Sequence, residues 1–384
     1  MPSKLKLRST LPEVGTTIFT VMSQLAVQHD AVNLGQGFPD FGCDARLQEF
    51  VSEAMRAGHN QYAPMPGVMA LREAIAEKTA QLYGHQYHPD SEITVTAGAT
   101  QAIMAAILAC VHPGDEVIAL EPCYDSYIPS VRLAGGVPVL LPLNAGDYGV
   151  PWDKVHAAIS PRTRLILLNS PHNPSGAVFS AEDLDNLESI VRGTDILLLA
   201  DEVYEHIIFD GLAHQSLARR PLLAERAFVI SSFGKTFHTT GWKIGYCCAP
   251  RELTEELRKV HQFMVFAVSS AVQNGIANYL ADREPYETLP AFYQSKRDRF
   301  RAGLAGTRFK LLACAGTFFQ VVDYSAISDE TEEQFARRLT TEFGVAAIPL
   351  SAFYATPVER KVVRFCFAKK DQTLDLALER LAKL

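Results

Sequence analysis

The feature that most constrains this chain is a series of very short apolar segments recurring between amphipathic ones. Ile93–Thr96, Val117–Leu120, Leu165–Leu168, Ile196–Ala200 and Phe228–Ser231 are near-continuous in apolar side chains. Segments this short, without alternation of polar and apolar positions, read as strands buried on both faces of a parallel sheet. Between them, Thr100–Val111, Asp125–Ala134, Ala181–Arg192 and Gln215–Arg226 carry helical patterning. The alternation predicts an α/β fold whose mainly parallel sheet is covered by helices.

Both ends of the chain read differently. Ile18–Gln28 is amphipathic, and a short strand is predicted at Ala31–Leu34. Beyond about residue 285, a charged amphipathic helix at Pro290–Leu304 leads into strand-like pieces at Phe318–Asp323, Val345–Ile348 and Val362–Phe367. The 384 residues suffice for two or three domains. The division predicted is an N-terminal arm with part of the small domain (1–44), a large domain (45–285) and a small α+β domain (286–384).

Ligands of open α/β sheets bind beyond the carboxyl ends of the strands. After Ile93–Thr96 comes a turn with Gly98, Ala99 and Thr100. Tyr124 follows Val117–Leu120, and Asn173 follows Leu165–Leu168. Asp201 and Tyr204 follow Ile196–Ala200, and Ser232 and Lys235 follow Phe228–Ser231. One sheet edge thus receives a glycine turn, an aromatic, an amide, a carboxylate and an amine. Singly, each has a plain structural reading. Asn173-Pro-Ser-Gly176 is a good β-turn sequence, Asp201 can cap a helix, Tyr124 can simply pack, and Lys235 can be a solvated surface lysine. Their convergence is what points to chemistry.

Net charge is −7, from 36 Lys and Arg against 43 Asp and Glu, which disfavours nucleic acid or an anionic membrane as partner. No apolar core follows the basic start, no apolar run approaches a membrane span, and seven cysteines lie unpatterned. A cytoplasmic protein is expected. His85, His88, His206 and His238 show no ligand spacing, so no metal is expected.

Two other motifs are weak. Ser232-x-x-Lys235 lacks the companion motifs of penicillin-binding acyl-enzymes, and Gly234 argues against the helix that chemistry needs. Gly35-Gln-Gly37 starts a dinucleotide fingerprint but lacks its third glycine, and Pro39 falls where the helix should begin.

Together, Asn173-Pro-Ser-Gly176, Asp201-Glu-Val-Tyr204, Ser232-Phe-Gly-Lys235 and a late Arg364 resemble the fold-type-I, pyridoxal-phosphate-dependent aminotransferases of classes I and II. The separations also fit, at 28, 34 and 129 residues. The resemblance spans essentially the whole chain, including GQGFPDF (Gly35–Phe41) and NQYAPMPGVMALREAIA (Asn60–Ala76). GQGFPDF, YDSY (Tyr124–Tyr127) and SSFGKTFHTTGWKIGY (Ser231–Tyr246) are similar to the methionine and kynurenine/glutamine aminotransferase groups, the bacterial methionine group most.

The resemblance implies pyridoxal 5'-phosphate as cofactor, amino acids and 2-oxo acids as substrates, and a homodimer with shared sites. It implies that Lys235 holds the cofactor covalently and that Asp201 pairs with the ring nitrogen. Asn173 and Tyr204 would bond the ring hydroxyl, and Tyr124 would stack on the ring. Gly98, Ala99, Thr100, Ser232 and Lys243 would hold the phosphate, with Tyr62 reaching a neighbouring subunit's. Many family members have arginine where Lys243 stands, so a point charge replaces a fork. Arg364 would clamp the substrate carboxylate, with Gly37, Asn173 and Phe38 assisting. Phe19, Phe38, Tyr62, Met65, Phe237, Phe353 and Tyr354 are candidate side-chain pocket walls. With no second arginine obvious, methionine or aromatic substrates are expected over aspartate. Alternatives are β-elimination of cysteine S-conjugates at the same site and a non-catalytic regulatory module. One of Pro171 and Pro174 is expected to be cis.

Overall fold

The computed structural model describes residues 8–356 and 358–384. The helix Ile18–Gln28 precedes β1 (Val32–Asn33). The central sheet then takes seven strands: β2 (Ile93–Thr96), β3 (Glu116–Glu121), β4 (Val137–Pro142), β5 (Thr163–Asn169), β6 (Leu197–Asp201), β7 (Ala227–Ser232) and β8 (Gly245–Cys248). Their order is β2-β8-β7-β6-β5-β3-β4, parallel except for β8, which runs antiparallel to both neighbours. The five predicted strands are present. Two sheet strands were not predicted. Prolines inside and at the end of β4 disguise an edge strand, and β8 is hidden among the turn residues that precede it.

Every residue of β2, β3 and β8 is buried, as the uninterrupted apolar runs require. The helix Ala99–Cys110 is so rich in alanine and isoleucine that it buries against the sheet on one side and the helix Arg251–Met264 on the other. The helix Ala181–Val191 starts in a capping box, Ser180 accepting from the Asp183 N–H and Asp183 accepting from Ser180. The helix predicted at Gln215–Arg226 is instead a 3₁₀ turn, Leu217–Arg219, and a short helix, Pro221–Ala224. Pro221 has no N–H to continue a helix but suits a first position.

The C-terminal part carries β9 (Lys310–Leu311), β10 (Phe319–Asp323), β11 (Val345–Ala346), β12 (Ile348–Pro349) and β13 (Val362–Cys366). Val345–Ile348, predicted as one strand, is divided between two sheets. β11 pairs in parallel with β1, whereas β12 joins the antiparallel order β12-β13-β10-β9. The N-terminal segment thereby packs on the C-terminal part, placing Gly35–Phe38 between it and the central sheet.

Candidate active site

The carboxyl ends of β5, β6 and β7, the start of the helix Ala99–Cys110 and the turn before β8 enclose a cavity of about 140 Å³. Gly98, Ala99, Thr100, Tyr124, Asn173, Asp201, Tyr204, Ser232, Lys235 and Lys243 all line it. Asp201 ends β6 and is 4% exposed. Tyr127 Oη donates to its Oδ2 at 2.6 Å, and the Val203 N–H donates to Oδ1 at 3.3 Å. Burial lifts this carboxyl to about 6, those two bonds and Lys235 offsetting only part of the rise.

Lys235 sits in a single helical turn, Phe233–Thr236, directly after β7. The sequence argued against a helix at Gly234, and the structure corrects this. A Cβ there would come within 3.1 Å of Thr240 Cα, so the glycine serves a close approach of backbone. Lys235 Nζ donates to the Gly37 carbonyl at 2.9 Å and lies over the Tyr204 and Phe318 rings. Burial lowers its ammonium to about 8. An amine with so low a pKa is far nearer its neutral, nucleophilic form at physiological pH than a surface lysine.

At the other end of the cavity, the first N–H groups of the helix Ala99–Cys110 are free of intrahelical partners and suit an anion. Gly98 has φ +80°, and a side chain there would meet Lys243 Nζ at 3.4 Å. Lys243 itself is in the left-handed region at φ 53°, and its ammonium lies beside Gly98 at the helix start.

Arg364 occupies the middle of β13, paired across to Val321 and Ile348, and is 1% exposed. Its Nη1 donates to Asn173 Oδ1 at 2.7 Å and its Nη2 to the Gly35 carbonyl at 3.1 Å. The Phe319 ring lies 3.9 Å from the guanidinium and the Phe353 ring 4.9 Å. Burial lowers Arg364 to about 10, so it stays charged at neutral pH. Its Nε, buried and without a partner among the described residues, is open to a further acceptor.

The remaining candidates are placed variously. Gly37 gives its carbonyl to Lys235, and a Cβ on it would meet Phe319 at 2.9 Å. Phe38 is 45% exposed and its ring packs against Lys369, outside the cavity lining. Tyr62 is 84% exposed and rests on Phe266. Phe19, Phe353 and Tyr354 line an adjoining groove, whereas Phe237 is buried against Phe233 and Tyr279. Pro171 and Pro174 are both cis, as is Pro122. His206 bonds Lys78 at 3.1 Å, and His238 packs among Phe41, Phe292 and Tyr293.

Two site residues escaped the sequence reading. Tyr127, the hydrogen-bond donor to Asp201, lies inside the quoted YDSY, one turn beyond Tyr124. Asn169, the last residue of β5, accepts from the Asn173 N–H and donates to the Asp201 carbonyl, both at 2.8 Å. It lies one position past the apolar run used to delimit that strand.

A buried acid, an amine of lowered pKa and a cationic helix start in one cavity fit the three chemically distinct parts of pyridoxal phosphate: ring nitrogen, aldehyde and phosphate. Residues 29–381 match the model of the family "Aminotransferase class I and II", and the chain belongs to that family. It is a pyridoxal-phosphate-dependent aminotransferase of the fold-type-I architecture.

Among curated relatives, it is 51% identical over 378 residues to the methionine aminotransferase of Escherichia coli, covering 98% of each chain. It is 40% identical over 388 residues to a probable N-succinyldiaminopimelate aminotransferase of Mycobacterium tuberculosis, again covering 98% of each. A kynurenine–oxoglutarate transaminase of Dictyostelium discoideum is 34% identical, with 96% of this chain and 94% of that one covered. The solved structure of the Escherichia coli protein YbdL, described as having a methionine aminotransferase function, superposes with a TM-score of 0.98 at 51% identity. It covers 99% of this chain and 100% of that one. Among the described residues, no helix is long and apolar enough to cross a membrane, and no cluster of side chains could hold a metal.

Proposed function

We propose that this enzyme transfers the amino group of methionine, or of an aromatic amino acid, to a 2-oxo acid. The observation that carries the proposal is the groove beside the cofactor cavity, walled by Phe19, Tyr124, Phe353 and Tyr354. Aromatic faces suit a thioether or a ring. The methionine aminotransferase function of the Escherichia coli relative points the same way.

Pyridoxal phosphate supplies an electron sink that makes the substrate α-proton acidic. Lys235 is the group proposed to hold the cofactor and then, released, to carry the α-proton. Its lowered pKa supports both roles. Asp201 is proposed to keep the ring nitrogen protonated, with Tyr127 fixing its carboxylate. Asn173 and Tyr204 are assigned to the ring hydroxyl and Tyr124 to the ring face. Gly98, Ala99, Thr100, Ser232 and Lys243 are assigned to the phosphate. Arg364 is assigned to the substrate α-carboxylate as a fork-shaped donor, aided by Asn173, Gly37 and Phe38.

The proposed assembly is a cytoplasmic homodimer of subunits divided at 1–44, 45–285 and 286–384. Tyr62 and Phe266, in edge contact and both exposed, form an aromatic pair suited to a second copy, and exposure of Tyr62 supports its reaching the neighbour's phosphate. All seven cysteines are free, which suits a reducing compartment.

Steady-state kcat/KM values for methionine, phenylalanine, glutamine, kynurenine and aspartate test the substrate assignment. Methionine or phenylalanine should lead, and aspartate leading would refute it. Release of pyruvate and ammonia from a cysteine conjugate without any 2-oxo acid would instead mark β-elimination.

A further inference from the structure

The groove holds two acids and one arginine for which the proposed mechanism has no use. It encloses about 650 Å³ between Thr10–Phe19, the region leading into the helix Tyr127–Leu133 and the loop 352–355. Tyr124 lines both the groove and the cofactor cavity. Phe19 and Phe353 line the groove while their rings flank Arg364 at 5.5 and 4.9 Å. A substrate held at Arg364 by its α-carboxylate therefore has this groove for its side chain, a step that rests on the role assigned to Arg364 above.

Asp125, Ile128 and Arg132 recur at helical spacing, so one face of that segment presents all three to the groove. The sequence offered no obvious second arginine, yet Arg132 is one, in the position where it could receive a distal carboxylate. Its guanidinium is instead ion-paired with Glu13, from the opposite wall. Among the described residues, no side chain pairs with the Asp125 carboxylate. Burial raises the Asp125 carboxyl above its ordinary value, and the charge of Arg364 and Asp125's own backbone N–H offset part of that rise. The groove thus sets two carboxylates against one arginine that is already committed.

We propose that Asp125 and Glu13 are specificity determinants that exclude substrates with an acidic side chain. Asp125 repels a distal carboxylate, and Glu13 occupies the guanidinium that would otherwise bind it. Desolvating a carboxylate beside a like charge without a partner is unfavourable on both counts. Donor and acceptor enter the same groove in turn, so the exclusion applies to both half-reactions. The acceptor is a 2-oxo acid with an uncharged side chain, and dicarboxylic 2-oxo acids are poor.

The test uses holoenzyme of the wild type, Asp125→Asn, Glu13→Gln, the double variant, and the double variant carrying Arg132→Met. The readout is the ratio of kcat/KM for glutamate to that for methionine. The ratio for 2-oxoglutarate to 2-oxohexanoate, with methionine as donor, is measured alongside. Ratios taken within one preparation are unmoved by partial loss of folded enzyme. Both ratios should rise at least about tenfold in the double variant, and the added Arg132→Met should reverse the share gained through Glu13→Gln. Ratios unchanged in the double variant would overturn the proposal. A rise that survives Arg132→Met undiminished would overturn the part assigned to Glu13. A wild type that already uses glutamate as well as methionine would sink the substrate assignment itself, before any variant is compared.

Discussion

Asp201 and Glu205 lie four residues apart at the end of β6, at 4% and 6% exposure, and their carboxyls are driven in opposite directions. Burial lifts Asp201 to about 6 because its partners are too few. Glu205 meets the same burial, but Lys78 Nζ stands 2.8 Å away, and the hydroxyls of Ser231, Tyr246 and Tyr83 donate to it. These hold it well below the usual carboxylate range. Strand β7 repeats the contrast: Ser231 completes the Glu205 cluster, and Lys235, four residues on, is left with a lowered pKa. A complete buried cluster is scaffold. One whose charges are short of partners is where a ligand completes the electrostatics.

The sharpest way to break this comparison is to remove the lysine from each cluster. Lys235→Ala should lower transamination at least about a thousandfold, while the melting temperature of the cofactor-free protein does not fall, since a buried charge of lowered pKa is gone. Equal loss of activity and stability would erase the distinction. Lys78→Met should do the reverse. Leaving Glu205 buried and unpaired costs about 3–5 kcal/mol by urea unfolding, with kcat of the folded holoenzyme within about threefold.

Next in size is pH. The raised Asp201 stabilises the cofactor-free fold below about 3.8, and this contribution is lost as pH rises through about 6. The lowered Lys235 stabilises it above about 10.5, and this contribution is lost as pH falls through about 8. Each contribution is on the order of 3 kcal/mol at 1.4 kcal/mol per pKa unit, and it shows in the difference between wild type and variant, because the buried His172, His206 and His238, all lowered by burial, destabilise the fold over the same acid range. The difference from wild type should change through pH 4 to 6 for Asp201→Asn and through pH 8 to 10.5 for Lys235→Met, read from urea midpoints across pH. Difference profiles that stay flat would contradict the incomplete cluster. The smallest effect is expected for Tyr127→Phe, about tenfold in kcat, the worth of one hydrogen bond to a charged group. An unchanged kcat would remove Tyr127 from the account.

Much of the cavity was legible because strand ends deliver residues to one edge whatever the loops do. Gly98, Tyr124, Asn173, Asp201 and Lys235 each follow an apolar run, and each lines the cavity. The family resemblance added Arg364, which no strand of the central sheet delivers. What stayed hidden depends on long-range neighbours. Asp201 and Glu205 look alike in DEVYE, and only Lys78, more than a hundred residues earlier, separates their chemistry. Arg132 could be placed on a helix from its spacing, but its pairing with Glu13 is a tertiary fact. The antiparallel β8 was obscured for a similar reason. Gly245–Cys248 follows glycine and threonine turns, and its position is set by pairing on both sides rather than by its own pattern.

The central claim is that the incompletely paired amine at 235, facing the acid at 201, is where the cofactor is held. Borohydride reduction of the holoenzyme followed by peptide mapping addresses it directly. The account predicts the reduced cofactor's mass on the peptide carrying Lys235, and on no peptide of Lys235→Ala. The mass on a peptide carrying Lys78, Lys243 or any other lysine would contradict it.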